Sequence, residues 1–151
     1  MKGKNMIRNK LRKKGIVLTL AMVMALGGMT QLANAANREN RTFELSFDST
    51  GDTDTGKWRR KDNNSKVYVK VNNVKYTNNT VTGWIQGKKY SDSTSASNCS
   101  GGYYYRLNTK GEQWMTNYVN EENLGYARIK ASTPVGAPNK VEGVWSPDSA
   151  N

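Results

Sequence analysis

The chain has 151 residues, with 23 lysines and arginines against 12 aspartates and glutamates, for a formal net charge of +11. It contains no histidine and one cysteine. These counts exclude Ser-His-Asp and Cys-His nucleophile systems, histidine general bases, zinc sites with histidine ligands and an intramolecular disulfide.

Residues 1–35 have the organisation of a secretory signal peptide. The first fourteen residues carry seven basic side chains and no acid, and an apolar stretch of about twelve residues follows directly. Ala33 and Ala35 are small residues at the spacing that signal peptidase recognises, which predicts cleavage after Ala35. The apolar stretch is too short for a transmembrane helix, which needs about 20 residues. Met6 is an alternative start, because residues 6–35 still form a complete signal.

The signal predicts export by the general secretory pathway and a secreted, extracellular product. There is no cysteine at the cleavage point, as a lipoprotein requires, and no Arg-Arg pair in the basic region of residues 1–14, as the twin-arginine route requires. Residues 36–151 retain 16 basic and 12 acidic residues, a net charge of +4. This modest surplus favours an anionic surface as partner and argues against nucleic acid. We expect no transmembrane segment and no covalent anchor in the mature protein.

Residues 36–151 are predicted to form a single all-β domain. Apolar and polar residues alternate in six segments, and clusters of Asn, Asp, Gly and Pro between them predict turns: 43–47, 67–71, 81–85, 103–107, 126–131 and 141–145. This spacing predicts an antiparallel β-sandwich or barrel of six to eight strands. Segment 112–123 also fits a helix, because Trp114 and Tyr118 stand four residues apart. A strand that ends in a loop is favoured there.

Cys99 lies in a Ser- and Gly-rich stretch that predicts a flexible loop. A catalytic cysteine needs a base, and the chain has no histidine, so an incidental thiol is favoured over a nucleophile. We expect a monomer, with a disulfide-linked dimer through Cys99 as the alternative.

The acidic residues predict neither a metal site nor a catalytic pair. The first long loop carries three aspartates suited to calcium, but its spacing departs from the EF-hand pattern: Asp48, Asp52 and Asp54. A glycosidase that uses two carboxylates needs no histidine. However, Glu44 and Glu142 occupy strand positions that are predicted to face solvent.

An outward-facing pattern of aromatic and basic residues is the strongest candidate for binding. If Val69, Ile85, Leu107 and Ile129 point into the core, then an aromatic residue and a cation two positions later share an outer face. The candidate binding residues are Tyr68, Lys70, Trp84, Tyr104, Arg106, Tyr126 and Arg128. Aromatic rings stack on sugars, and cations pair with phosphate or carboxylate. The more common interpretation is that such residues are ordinary cross-strand neighbours on a sheet surface.

Three segments, 61–69, 117–130 and 141–149, resemble small secreted proteins of Gram-positive bacteria that form a family with a domain of unknown function. The chain is also similar in style to lactococcin-972-type bacteriocins, which are short, basic, aromatic-rich, all-β and exported. Neither resemblance implies a known active site.

The sequence therefore predicts an exported, non-enzymatic β-sandwich protein without cofactor or metal that binds at the cell envelope. The expected partners are cell-wall glycan, teichoic acid or an anionic membrane surface. A bacteriocin-like antimicrobial effector is the alternative, and a histidine-free carboxylate hydrolase is a third hypothesis.

Overall fold

Strands dominate the chain because Val, Ile, Tyr and Thr alternate with polar residues over short segments. The structure, a computed structural model, describes residues 36–48 and 51–150, so the predicted signal peptide and its cleavage site lie outside the described residues. Ten strands occur: β1 (Arg41–Phe47), β2 (Asp52–Asp54), β3 (Arg59–Arg60), β4 (Val67–Val74), β5 (Thr82–Lys88), β6 (Ser97–Asn98), β7 (Tyr105–Arg106), β8 (Gly111–Met115), β9 (Tyr126–Ser132) and β10 (Asn139–Ser146). Within these described residues no helix is long and apolar enough to span a bilayer.

The strands form two antiparallel sheets. In the first, here sheet A, the order is β1-β10-β4-β8. In the second, sheet B, β9 and β5 are central; β9 also pairs with β2 and β3, and β5 also pairs with β6 and β7. The predicted all-β sandwich is confirmed, and the barrel alternative is wrong because the sheets do not close. The strand number exceeds six to eight, since β2, β3, β6 and β7 have only two or three residues each.

The inner faces of both sheets enclose one hydrophobic core. Val69 of sheet A and Ile85, Leu107 and Ile129 of the sheet B side are all fully buried, as the alternation predicted. Burial of such a side chain contributes about 1.5–3 kcal/mol. The ambiguous segment 112–123 contains β8, which ends at Met115, followed by loop and turn, so the strand interpretation is confirmed.

A β-bulge in β10, one of the two central strands of sheet A, depends on Gly143. The register of β10 against β4 shifts between Glu142 and Gly143. A Cβ atom on Gly143 would lie 2.0 Å from the carbonyl oxygen of Lys70. Glycine is therefore required here, because only a residue without a side chain lets the two backbones approach.

Two buried cations connect the beginning and the end of the described domain. They are Arg59, in the short strand β3, and Lys61, directly after it. Arg59 donates to the carbonyl oxygens of Trp145 and Glu39, each at 2.7 Å, and to Asn37 Oδ1 at 3.0 Å. Its guanidinium also lies 5.1 Å from the ring centroid of Trp145. These contacts fasten the segment before β1 to the end of β10.

Lys61 forms a fully buried ion pair with Asp148, with 3.0 Å between Nζ and Oδ1. Lys61 Nζ also donates to the carbonyl oxygens of Ser65 at 2.6 Å and Pro147 at 2.9 Å, so all three of its protons have acceptors. Burial lowers the pKa of Lys61, and the carboxylate of Asp148 opposes that shift. No local sequence pattern reveals this pair, because its members are 87 residues apart.

Candidate functional site

The seven candidate binding residues lie on the two outer faces of the sandwich rather than on one. Tyr68 and Lys70 belong to β4 and therefore to sheet A. The other five lie in or directly before strands of sheet B: Trp84, Tyr104, Arg106, Tyr126 and Arg128. Because the two sheets share one core between them, these groups point in opposite directions and cannot contact one ligand surface together.

On sheet A, Tyr68 and Lys70 have close partners in the neighbouring strand β8. Tyr68 stands opposite Trp114 with ring centroids 5.7 Å apart. Lys70 Nζ lies 3.2 Å from Glu112 Oε1. Burial raises the pKa of Tyr68, and a hydrogen bond to Glu112 raises it further. These residues therefore behave as ordinary cross-strand partners.

The carboxylate pair considered for hydrolysis also lies on sheet A. Glu44 and Glu142 face each other across β1 and β10, and Lys140 Nζ lies between them at 3.0 Å and 2.8 Å. Hydrogen bonds from Lys140 and then Asn73 hold the pKa of Glu142 below its ordinary value. Both glutamates lie on the outer face of sheet A, as predicted, where Glu44 is exposed and Glu142 is half-buried. The general acid of a glycosidase needs a raised pKa, whereas the pKa of Glu142 is lowered. This environment is therefore that of a surface ion pair.

On sheet B, the side chain of Trp58 covers the part of the outer face that contains Lys88 and Arg128. This part is called the covered half. The ring of Trp58 lies over two cations, with its centroid 4.4 Å from Arg128 Cζ and 4.7 Å from Lys88 Nζ. Arg128 Nη1 also contacts Asp54 Oδ2 at 2.6 Å, and its Nε donates to Gln86 at 3.0 Å. Arg128 is thus held by an acid, an amide and an aromatic ring, which leaves it little freedom to bind a ligand.

Tyr126 lies at the same end of sheet B. It is half-buried and stands in register between Lys88 of β5 and Arg60 of β3. Arg60 Nε pairs with Asp62 Oδ1 at 2.6 Å. Tyr126 therefore belongs to the rim of the covered half.

The other half of the sheet B face, here the open half, consists of Trp84, Tyr104, Arg106 and Lys130. The rings of Trp84 and Tyr104 meet edge to face, with centroids 5.9 Å apart and an interplanar angle of 69°. Tyr104 is 59% exposed. An edge-to-face contact at this distance is favourable and holds the two rings in place on the surface of the sheet.

Two cations flank this aromatic pair. Lys130 stands opposite Trp84 in the next strand, and Arg106 follows Tyr104 by two residues and stands opposite Thr82. In the described part of the chain, the one ion pair of Lys130 is a long contact of 3.9 Å between its Nζ and Asp52 Oδ2. Arg106 is exposed and has no ion-pair partner within residues 36–48 and 51–150. Both cations are therefore available to an anion bound beside the rings.

Lys130 and Trp58 are not among the seven candidate binding residues. The outward direction of Lys130 follows from its alternation with Ile129 and Ala131. Its position beside Trp84 depends on the register of β9 against β5, which no local pattern encodes. The fold of Trp58 back over Arg128 likewise depends on the turn after β2, where Gly56 has a φ of +75°.

Two of the three aspartates of the first long loop act as ion-pair partners. Asp52 and Asp54 lie in β2, where they contact Lys130 and Arg128, respectively. No group of three or more potential metal-ligating side chains occurs in the part of the chain that the structure describes.

Cys99 lies in a loop directly after β6, as predicted, but its side chain is fully buried in the core, which the Ser- and Gly-rich sequence did not indicate. Its N–H donates to the carbonyl oxygen of Ile85 at 2.9 Å, and its Sγ lies 3.5 Å from Glu122 Oε2. Burial, and then the charge of Glu122, raise the pKa of the thiol to about 12. A disulfide between two copies would therefore require local opening of this segment.

Comparison with known proteins assigns the chain to a family. A family model described as "Protein of unknown function (DUF2712)" matches residues 30–149, and the chain belongs to this family. The expected membership of a family with a domain of unknown function is thus confirmed. No curated protein and no solved structure matches the chain.

Proposed function

We propose that this member of the DUF2712 family is an exported binding protein without catalytic activity, which associates with glycan or anionic polymer of the cell envelope. The binding surface in this proposal is the open half of sheet B. The observation that carries it is the surface pair of Trp84 and Tyr104, in which Tyr104 is exposed and Trp84 is half-buried, with a cation on each side.

The spacing of the open half suits a chain of sugars or polyols that carry negative charge. Neighbouring strands are about 4.8 Å apart, and residues two apart on a strand are about 7 Å apart. Lys130 and Arg106 therefore lie at about these distances from Trp84 and Tyr104, respectively. A sugar ring stacked on the aromatic pair would place its anionic substituents within reach of both cations.

The charges of sheet A make it a poorer candidate for an anionic ligand. Its outer face carries three glutamates, namely Glu44, Glu112 and Glu142, and its lysines contact them. Cations that already have carboxylate partners gain less from a bound anion than a cation without one, such as Arg106. The two faces thus differ in charge although each has one aromatic pair.

The shape of the open half favours a polymer over a small molecule. A flat sheet face contacts a ligand on one side only, whereas small-molecule sites are usually concave. Repeated weak contacts along a polymer compensate for the low affinity of each one. The net charge of +4 over residues 36–151 supports the same class of partner.

Retention of the purified protein on isolated cell wall and on anionic vesicles tests this proposal. The double variant W84A/Y104A should lose most of the retention of the wild-type protein, because alanine removes both rings without changing charge. The matched control is Y68A/W114A, which removes the other cross-strand aromatic pair, with centroids 5.7 Å apart, from sheet A. We expect this control to bind as the wild type does.

A second pair of measurements separates the contribution of sugar stacking to retention from the contribution of charge. Variants R106Q and K130Q should weaken retention most at low salt, since surface ion pairs are screened as salt rises. No retention of the wild type at low salt, or an equal loss in both aromatic double variants, would contradict the proposal. Growth inhibition of related strains by the purified protein would instead favour the antimicrobial alternative.

A further inference from the structure

Two buried lysines of this domain have very different surroundings. Lys61 has a carboxylate partner, Asp148, at 3.0 Å. Lys88 is 5% exposed, yet none of the ion pairs among the described residues includes it. A buried cation is costly without an anionic partner, so the surroundings of Lys88 need a separate explanation.

The known contacts of Lys88 are all to neutral groups. Its Nζ donates to the carbonyl oxygens of Ser91 and of Ser93, the latter at 3.3 Å, and lies 4.7 Å from the ring centroid of Trp58. An ammonium has three N–H donors. Among the described residues the third donor therefore has only the ring face of Trp58 as acceptor.

A pocket of about 360 Å³ lies beside Lys88, between the end of β5 and the loop that follows. Its wall contains two lysines and four hydroxyl groups: Lys88, Lys89, Ser93, Thr94, Ser95 and Ser97. No carboxylate lines it. The wall is therefore rich in hydrogen-bond donors and positively charged, which is the composition that an oxyanion requires.

We propose that this pocket binds a phosphate monoester of a sugar or polyol, with the Lys88 ammonium as its cationic partner. The peripheral oxygens of a phosphate monoester accept several hydrogen bonds, which the hydroxyl groups and the lysines supply. The volume lies at the small end of the range for ligand sites, about 300–1,000 Å³, and suits one sugar or glycerol unit. The free hydroxyls of such a ligand would bond to the remaining serines.

This site is separate from the open half of sheet B. The pocket lies at the Lys88 end of β5, and Trp84 lies four residues earlier on the same strand. Neither Trp84 nor Tyr104 lines the pocket. The two proposals can therefore fail independently.

Titration of the purified protein with sn-glycerol 3-phosphate, inorganic phosphate and glycerol, followed by NMR chemical shifts of backbone amides, tests the inference. We expect saturable shifts around Gly87 and Ser93–Ser97 with glycerol 3-phosphate, weaker binding of inorganic phosphate and none of glycerol. K88M should weaken binding at least about tenfold, because it removes a charge-assisted hydrogen bond. T94V, which removes one hydroxyl group at nearly constant volume, should weaken it a few-fold.

The matched control is K75M, which removes an exposed lysine that also lies over an aromatic ring, that of Tyr76 at 5.1 Å. It should leave the affinity within about twofold. K88M should remain folded, as its thermal transition will show, since methionine fills the same space without a buried charge. Absence of saturable shifts in the wild type, equal affinity in K88M, or inorganic phosphate binding as tightly as the ester would overturn the proposal. W84A/Y104A should keep the pocket affinity, and K88M should keep retention on cell wall.

Discussion

Replacement of Lys61 by methionine will measure how much the buried ion pair contributes to folding. Methionine keeps most of the length of the side chain and removes only the ammonium. Asp148 would then remain buried, and within residues 36–48 and 51–150 its carboxylate would keep two hydrogen bonds, from the N–H groups of Asn37 at 2.7 Å and Asp62 at 3.1 Å. The variant therefore leaves an uncompensated negative charge in the interior.

The expected cost follows from the contacts that disappear. Loss of one member of a buried pair costs about 3–5 kcal/mol. Lys61 also loses two hydrogen bonds to carbonyl oxygens, but those acceptors can in part find other donors. In a domain of about this size 1 kcal/mol corresponds to about 4 °C, so Tm should fall by on the order of 15 °C.

Thermal and urea unfolding at neutral pH, followed by circular dichroism, will test this prediction. The exposed-lysine variant K75M serves as control and should change stability by less than about 0.5 kcal/mol. The double variant K61M/D148N should be more stable than the sum of the two single variants predicts, by at least about 1 kcal/mol, because it leaves no unpaired charge. A fall in Tm of less than about 4 °C in K61M, or strict additivity in the double variant, would refute the reasoning.

Two further predictions concern the core. Burial raises the pKa of the Cys99 thiol from its ordinary value of 9.0 to about 12, so the contribution of this group to stability is complete below about pH 9 and is lost as pH rises towards 12. The stability difference between wild type and Cys99→Ala should therefore shrink over this range in urea titrations, and a constant difference would contradict the burial argument. Gly143→Ala should cost more than about 3 kcal/mol or prevent folding, because its Cβ would lie 2.0 Å from the carbonyl oxygen of Lys70. Gly125→Ala, whose Cβ would lie 3.2 Å from the carbonyl oxygen of Lys89, should cost much less, and equal unfolding free energies would count against this explanation.

Local sequence pattern predicted the inward and outward directions of side chains well. Val69, Ile85, Leu107 and Ile129 are all fully buried. The pattern was less successful with short strands. β2 and β6 lie in stretches rich in Asp, Gly and Ser that predict turns, and they form strands because the edges of sheet B offer backbone partners.

The candidate site shows a similar limit. Alternation predicted that Tyr68, Trp84, Tyr104 and Tyr126 avoid the core, and none of them is fully buried. It could not predict that Tyr68 belongs to the opposite sheet, or that Trp58 folds over Arg128. Strand order and loop paths depend on contacts between distant segments, which one segment does not encode.

The amino-acid sequence by itself determined the strand-rich composition, the alternation that creates two-faced strands, and the absence of histidine chemistry. Each of these depends on residue types or on a period of two, both of which are local properties. Only the tertiary structure decided that Trp84 and Tyr104 lie together between two cations on the outer face of sheet B. It also decided which buried lysine forms an ion pair with a carboxylate. Lys61 and Asp148 are 87 residues apart, whereas Lys88 meets only neutral groups among the described residues. The physical reason is that charge pairing and surface assembly depend on distances in space, which the order of strands in the two sheets sets.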